Sequence, residues 1–312
     1  TQPRLMTFQS KPIAPIFVGF KCTTKIKQMK DVCLKWCMLN ARDALLTGFF
    51  LCFACLLPAC TAPISFLENP SRGQIEHLEY AFPEAGRDSG YALYVPTGYD
   101  ERTPLPLLVA LHGLRSNSYQ IIRYPGLVEQ AEAKGYLLVA PMGYNKRGWY
   151  GMFGQERADD TPTNLGELSE RDVINVIAKV RKEFNVDRQR IFLYGHSMGG
   201  GGSFHLLGKY PKQFAAIATV APAYYSRTRS EHLEHVAAGI FIVQGDKDPL
   251  VDVDYTRSLV AALKEDQHQV EYIEVKGGGH LVPAWSYWDE IFGFFSKHKR
   301  DLPAPPLRYK SD

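Results

Sequence analysis

The sequence predicts an α/β fold in which a mostly parallel central sheet is covered by helices on both faces. Short apolar segments typical of strands alternate along the chain with longer segments of helical spacing. Several of the strand segments are continuously apolar, as expected for strands buried on both faces of a parallel sheet. The composition, 45% hydrophobic and 22% charged, is ordinary for a globular protein of this kind.

The predicted elements follow one another after Pro63. Residues 91–95 alternate in polarity before Pro96 and predict an early strand. Continuous apolar runs predict the later strands at 107–111, 136–140, 191–194, 214–220, 240–243 and 270–275. Helical spacing is found at 121–134, at about 168–184 and at 285–297. Because there is no internal repeat and no second domain pattern, we expect residues 61–312 to form a single domain with a loose Pro-rich tail from Pro303.

Charge and cysteine are concentrated in the first part of the chain. Residues 1–37 carry seven Lys/Arg against Asp31, a net +6, so residues 61–312 carry −3 of the total +3. This balance gives no basic surface for nucleic acid. All six cysteines lie within the first 60 residues, so residues 61–312 contain no disulfide, cysteine nucleophile or cysteine-based metal site. Cys33-x-x-x-Cys37 is half of a zinc pattern without a second pair.

Residues 38–60 have the pattern of a signal peptide. The uncharged apolar segment 44–57, about 14 residues long, is shorter than a membrane-spanning helix and suits a signal-peptide core. It ends in Leu57-Pro58-Ala59-Cys60, which resembles a bacterial lipoprotein signal, although Pro58 departs from that pattern. The resemblance implies that Cys60 is lipidated and that the mature protein is held at a membrane only through this anchor.

Two alternatives remain open for this leader: a plain secretory signal cleaved near Ala59 or Ala62, and an uncleaved membrane anchor. Export from a bacterial cell, as a membrane-anchored lipoprotein or as a periplasmic or secreted protein, is therefore expected. Residues 1–37 do not have the pattern of a structured domain, and we expect them to be non-native or unstructured.

Ser197 is the predicted nucleophile. It lies in Gly195-His196-Ser197-Met198-Gly199, which follows a predicted strand and precedes a run of small residues that can begin a helix. This strand–turn–helix context is what the G-x-S-x-G motif requires, because a sharp turn exposes the serine at the end of the sheet. The motif alone also occurs by chance in glycine-rich turns.

In this context the motif resembles the nucleophile turn of α/β-hydrolases, and that resemblance implies where the partners of Ser197 lie. The acid is expected after a late strand, where Gly245-x-x-Asp248-x-x-Val251 matches the family's acid loop. The match favours Asp248 over Asp246, with Asp252 and Asp254 as alternatives that could instead carry charge at a helix N-terminus. The base is expected between the last strand and the last helix, which selects His280 in Gly277-Gly278-Gly279-His280.

An oxyanion site and a substrate pocket are predicted on neighbouring loops. His112-Gly113-Leu114 resembles the oxyanion loop, so the backbone N–H groups of Leu114 and Met198 are the expected donors. Aromatic side chains follow two strands on the side where substrates bind in open sheets. From them we select Trp149 and Tyr225 as pocket walls, while packing in the core remains an equal alternative. The aromatic residues in question are Tyr144, Trp149, Tyr150, Phe153, Tyr224 and Tyr225.

Together the Gly-His-Ser-Met-Gly-Gly motif, the Asp-Pro acid loop and the Gly-His before a Trp-containing last helix resemble feruloyl esterases and polyhydroxybutyrate depolymerases. They are also similar to the catalytic domains of prolyl oligopeptidases. The resemblance covers about residues 75–300 and implies an α/β-hydrolase fold and a serine esterase that forms an acyl-enzyme without cofactor or metal. It leaves the acyl group, the alcohol and the oligomeric state open.

The connection between the strand ending near Ala221 and the strand at Ile240 is short, about 18 residues. Many lipases and feruloyl esterases insert a larger lid there, so we expect a short or absent lid and an open cleft.

Two other functions stay open. A peptidase or acyltransferase could use the same triad, although the chain has no room for the propeller domain of a prolyl oligopeptidase. A lipid-anchored, non-catalytic hydrolase-like binding protein is the alternative outside enzymes. The substrate expected from the main hypothesis is a small or polymeric carboxylic ester.

Overall fold

The computed structural model describes residues 70–224 and 233–310, all of which belong to the unit Leu67–Asp312. Their centre is an eight-stranded sheet with the strand order β1-β2-β4-β3-β5-β6-β7-β8. β2 is antiparallel to both of its neighbours, and all the remaining neighbours pair in parallel. The mostly parallel sheet is therefore confirmed.

The strands and helices have the following bounds. The strands are β1 Ile75–Phe82, β2 Arg87–Tyr94, β3 Leu105–Leu111, β4 Leu137–Pro141, β5 Val186–His196, β6 Ala216–Val220, β7 Gly239–Gly245 and β8 Val270–Val275. The helices are α1 Ser118–Ile121, α2 Leu127–Lys134, α3 Leu165–Glu183, α4 Met198–Lys209, α5 Val253–Glu265 and α6 Trp288–Ser296.

The first strand of the sheet was not predicted from the sequence. β1 is an edge strand in which exposed and half-buried residues alternate, and it joins β2 through a short turn at Pro83–Ala85 closed by Gly86. Proline and glycine between two alternating segments are a hairpin signal that could have identified it. The antiparallel β1–β2 pair extends the sheet beyond its parallel part.

The helix expected at 121–134 is wrong as a single element. The chain forms the single turn α1, leaves the helical path at Pro125 and Gly126, and begins α2 at Leu127. Gly126 has φ +87°, which is outside the helical region. The last helix also begins at Trp288 rather than at 285, after a 3₁₀ turn at Val282–Ala284.

Buried apolar clusters cover both faces of the sheet. In β5 the side chains alternate between them: Ile191 and Leu193 belong to one cluster, and Phe192 and Tyr194 belong to the other. The first cluster includes residues of α3, α4 and α5, and the second includes residues of α1, α2 and α6. This period of two follows from the pleat of a strand and explains why the central strands are apolar throughout.

None of the helices in the ranges 70–224 and 233–310 is both long enough and apolar enough to cross a membrane. The predicted leader, with its signal peptide and Cys60, lies outside the described residues.

The helix α4 packs very closely against the sheet at Gly199. A Cβ atom at this position would lie 2.0 Å from the backbone oxygen of Leu111 and 2.9 Å from that of His112. Backbone atoms cannot move aside as a flexible side chain can. Only glycine therefore allows the start of α4 to approach the end of β3.

We expect Gly199→Ala to destabilise the fold by about 2 kcal/mol or more, because the methyl group overlaps backbone atoms. Gly293→Ala is the matched control: this glycine lies inside α6 with no atom within 4 Å of the added methyl. Since alanine is the better helix former, the control variant gains about 0.5–1 kcal/mol. Urea unfolding of both variants measures the difference, and equal stabilities would disprove the packing argument.

Candidate active site

Ser197 occupies a strained turn between β5, which ends at His196, and α4, which begins at Met198. Its φ of +56° and ψ of −116° are unfavourable for any residue other than glycine. Three backbone hydrogen bonds hold it there: its N–H donates to Val220 (2.9 Å), and its carbonyl accepts from Gly201 (3.1 Å) and Ala223 (3.0 Å). The turn leaves the Ser197 side chain partly exposed at the carboxyl end of the sheet.

Asp248 and His280 form a direct pair. His280 Nδ1 lies 2.8 Å from Asp248 Oδ2, with both side chains largely buried. Asp248 follows β7 and His280 follows β8, and these strands are parallel neighbours. Because neighbouring parallel strands end at the same edge of the sheet, two residues 32 positions apart meet there.

The carboxylate of Asp248 is held in a cage of donors. Oδ1 accepts from the backbone N–H groups of Leu250 (2.8 Å) and Val251 (3.0 Å), and Oδ2 also accepts from Gln244 Nε2 (3.2 Å). Burial alone raises the pKa of Asp248, but the hydrogen bonds from His280 and these N–H groups outweigh it and lower the pKa overall. The site therefore favours an ionised carboxylate beside the imidazole.

The alternative aspartates have other partners. Asp246 accepts the backbone N–H of Gly277 (2.6 Å). Asp252 caps α5 by accepting the N–H of Asp254 (2.9 Å), and Asp254 pairs with Arg257 at 2.7 Å. These contacts match the helix-terminus interpretation and leave Asp248 as the partner of His280.

The turn predicted to hold the oxyanion packs directly against the turn at Ser197. A Cβ placed on Gly113 would lie 3.4 Å from the Cβ of Ser197. The His112 side chain is buried, with Nε2 2.8 Å from the carbonyl of Met142, and the Tyr150 hydroxyl donates to the His112 carbonyl (3.0 Å). Met198 is the first residue of α4, where a helix leaves its N–H groups without intrahelical acceptors. Leu114 and Met198 thus both lie beside Ser197.

A buried carboxylate anchors the loop after β4 that carries Trp149. Asp172, on α3, accepts the hydroxyl of Tyr80 (2.8 Å) and the N–H of Gly143 (2.7 Å). Burial raises the pKa of Asp172, and the hydrogen bonds partly offset this effect. Trp149 itself has φ +52° and makes an edge-to-face contact with Phe153, at 4.8 Å between ring centroids.

An open cleft of about 740 Å³ contains Ser197, His280, Leu114 and Trp149. Its other walls are mainly apolar or aromatic, and Arg115 contributes a cation. Leu250 and Leu281 at its rim are 69% and 55% exposed. The remaining lining residues are Gly113, Ser116, Gln120, Tyr124, His196, Ala223, Val251 and Trp285.

The structure adds residues that the sequence did not single out, namely Tyr124, Trp285 and Gln244. Tyr124 and Trp285 contact each other edge-to-face at 5.5 Å between ring centroids on one wall of the cleft. The position of Trp285, five residues after the predicted base, could have identified it from the sequence. No motif near Tyr124 could have done so. The predicted pocket residue Tyr225 lies outside the described residues.

His196, which precedes the predicted nucleophile, is a buried residue of the cleft lining. Its Nδ1 lies 2.8 Å from the hydroxyl oxygen of Tyr124, and its Nε2 lies 3.0 Å from the backbone oxygen of His280. Burial lowers the pKa of His196 to about 4. The imidazole is therefore neutral in the folded protein at neutral pH.

No cluster of three His, Cys, Asp or Glu side chains suited to a metal ion occurs within the described part of the chain. The groups gathered at the cleft are instead a serine on a strained turn, a His–Asp pair and backbone N–H groups. These are the types of group that acyl transfer uses.

The strand–turn–helix at Ser197 and the eight-stranded, mostly parallel sheet define an α/β-hydrolase fold. A family model named Esterase, described as "putative esterase", matches residues 83–294. The chain belongs to this esterase family.

The chain is also similar to several known proteins. The chain is 32% identical over 167 residues to the acylamino-acid-releasing enzyme of Sus scrofa, a match that covers 53% of this chain but only 21% of the pig enzyme. Feruloyl esterase C of Emericella nidulans is 26% identical over 212 residues, covering 64% of this chain and 72% of the relative. The S-formylglutathione hydrolase of Agrobacterium tumefaciens has a similar fold, with a TM-score of 0.59, 16% identity and coverage of 72% and 94% of the two chains.

Because the pKa of His196 is lowered, the free energy of unfolding should depend on pH in the acid range. Between the ordinary histidine value of 6.5 and about 4, the unfolded chain binds a proton that the folded chain does not. The free energy of unfolding should therefore fall as the pH is lowered through this range, by about 3 kcal/mol in total from this residue.

Urea unfolding at several pH values between 4 and 7 tests this prediction against His196→Gln, which lacks the titrating group. The wild-type curve should be steeper than that of the variant. Parallel curves for the two proteins would refute it.

Proposed function

We propose that the protein is a serine hydrolase of carboxylic esters that works through an acyl-enzyme, with Ser197, His280 and Asp248 as its catalytic triad. The observation that carries this proposal is the shared cleft. Ser197, on a strained turn, opens into the same 740 Å³ space as His280, whose Nδ1 is held 2.8 Å from the buried Asp248. Membership of the esterase family supports the choice of ester hydrolysis.

In the proposed reaction, the Ser197 hydroxyl attacks the ester carbonyl as His280 Nε2 takes its proton. Asp248 fixes the imidazole with its proton on Nδ1 and stabilises the imidazolium that forms. The tetrahedral intermediate collapses when His280 protonates the leaving alcohol, which gives the acyl-enzyme. Water then attacks the acyl-enzyme with His280 as base, releasing the acid and restoring Ser197.

The negative charge that develops on the carbonyl oxygen is proposed to be stabilised by the N–H groups of Leu114 and Met198. Both are backbone donors fixed by packing: Leu114 follows the turn that abuts Ser197, and Met198 begins α4. Fixed donors favour the transition state because they need no reorganisation as charge develops.

The walls of the cleft support a substrate with an apolar or aromatic acyl group. Trp149, Tyr124 and Trp285 line the cleft, and the exposed Leu250 and Leu281 extend its apolar surface outward. A hydroxycinnamoyl ester fits this lining, and the feruloyl esterase relative makes it the first candidate. A short-chain acyl ester or a polyester is the next candidate.

A peptidase activity with the same triad is the second candidate. It is favoured by the 32% identity to acylamino-acid-releasing enzyme, although the matched region is only about a fifth of that enzyme. Turnover of an N-acetyl-amino-acid anilide compared with the matching ester separates the two candidates.

Export is part of the same proposal. The uncharged apolar segment 44–57 and the following Cys60 support a lipoprotein-like leader, which would place the hydrolase outside the cytoplasm of a bacterial cell.

Ser197→Ala should lower kcat for a p-nitrophenyl ester by about 10⁴-fold or more, because no nucleophile remains. Ser116→Ala is the matched control, since Ser116 lines the same cleft and its hydroxyl donates to Gln120. The control should keep wild-type activity and react with a fluorophosphonate probe, whereas Ser197→Ala should not be labelled.

A Ser197→Ala variant that retains more than about a hundredth of kcat would remove Ser197 from the nucleophile role. Failure of the wild-type protein to react with the probe would favour a non-catalytic binding protein.

Trp149→Ala should reduce kcat/KM for a feruloyl ester by about 10-fold, because an aromatic acyl group loses apolar contact worth about 1–2 kcal/mol. Turnover of an acetyl ester of the same alcohol, which does not reach the tryptophan, should change less than about twofold. Parallel losses on both esters would show that Trp149 supports the fold of the loop rather than acyl specificity.

A further inference from the structure

We propose that Tyr124 and His196 are positioning residues that hold the backbone of His280, so that its imidazole is kept in register with Ser197. This inference rests on the proposed function, because it assigns a task relative to the proposed base. Two contacts join these residues: the Tyr124 hydroxyl lies 2.8 Å from His196 Nδ1, and His196 Nε2 lies 3.0 Å from the His280 carbonyl oxygen.

The chemistry of the partners sets the direction of both hydrogen bonds. A backbone carbonyl can only accept, so His196 Nε2 must carry the proton and donate it to the oxygen of His280. The imidazole is buried and neutral, so Nδ1 then has a lone pair and accepts from the Tyr124 hydroxyl. Burial raises the pKa of Tyr124 to about 12, which keeps this hydroxyl protonated. The His280 carbonyl therefore selects the tautomer of His196, and the Tyr124 hydroxyl stabilises this tautomer by donating to Nδ1.

The loop that carries His280 needs such a restraint. Three glycines, Gly277, Gly278 and Gly279, precede the histidine, and glycine has the widest backbone freedom of any residue. Asp246 and Lys247 hold the first two of them through hydrogen bonds to their backbone, and Asp248 fixes the His280 ring through Nδ1. A second attachment at the carbonyl group fixes the point from which the side chain extends.

The geometry of the rings is consistent with this role. The imidazoles of His196 and His280 are tilted neighbours with centroids 4.9 Å apart, and Tyr124 meets His196 edge-to-face at 5.8 Å. His196 lies between the nucleophile, one residue further along the chain, and the base. Displacement of His196 therefore shifts the relative position of both proposed reacting groups.

Tyr124→Phe removes one hydroxyl and keeps the ring on the cleft wall, so it is the deciding variant. We expect kcat for a p-nitrophenyl ester to fall roughly 10-fold with KM almost unchanged, because a loosened base affects the reaction more than substrate binding. The matched control is Tyr119→Phe, the same change five residues earlier at a tyrosine that packs on His77 outside the cleft. The control should keep wild-type kcat.

A pair of variants at His196 provides the rescue test. His196→Phe lacks the donor and should lose roughly 100-fold in kcat, whereas the side-chain amide of His196→Gln can donate to the His280 carbonyl and should recover about 10-fold of that loss. Thermal unfolding identifies any variant that does not fold. If His196→Phe does not fold, the kcat values of Tyr124→Phe and His196→Gln test the positioning role.

The outcomes separate this inference from the proposed function. Wild-type kcat in Tyr124→Phe, a loss that appears in KM alone, or no kcat advantage of His196→Gln over a folded His196→Phe would overturn the positioning role. Ser197→Ala is measured in the same assay, and its continued activity would instead overturn the triad itself.

Discussion

The conformation of one residue, Ser197, organises this structure. A non-glycine residue with φ of +56° is unfavourable by itself, and it persists because the surrounding elements determine it from several sides. Its N–H donates to β6 and its carbonyl accepts from α4, and the glycine at 199 lets the helix start against the end of β3. The packing that permits this turn also brings the Gly113 turn against it, so the proposed nucleophile and its proposed oxyanion donors come from one local arrangement.

Buried carboxylates around the cleft are satisfied by partners from their own loops and from distant parts of the chain. Asp248 receives donors from its own loop and from His280, while Asp172 ties Tyr80 of β1 to the loop after β4. An unpaired carboxylate in such surroundings is costly, so each group constrains the loops that supply its partners. These hydrogen bonds tie the loops at the end of the sheet to one another and to neighbouring elements.

The sequence predicts the parts of this structure that depend on local patterns. Continuous apolar runs identify the buried strands, and the order of motifs along the chain identifies Asp248 and His280, which the fold then places 2.8 Å apart. The contact between Tyr124 and His196 joins residues 72 positions apart and has no local signature. β1 was missed because an edge strand has one exposed face and lacks the apolar run that identified its neighbours. The split between α1 and α2 was missed because the apolar spacing is helical throughout, whereas Pro125 and Gly126 interrupt the helix.

An open sheet has two edges, and here both carry acidic side chains. Glu76 and Glu79 lie on β1, and Glu271 lies exposed on β8. Charged side chains on an edge strand disfavour pairing with another strand, because like charges that come to lie opposite one another repel.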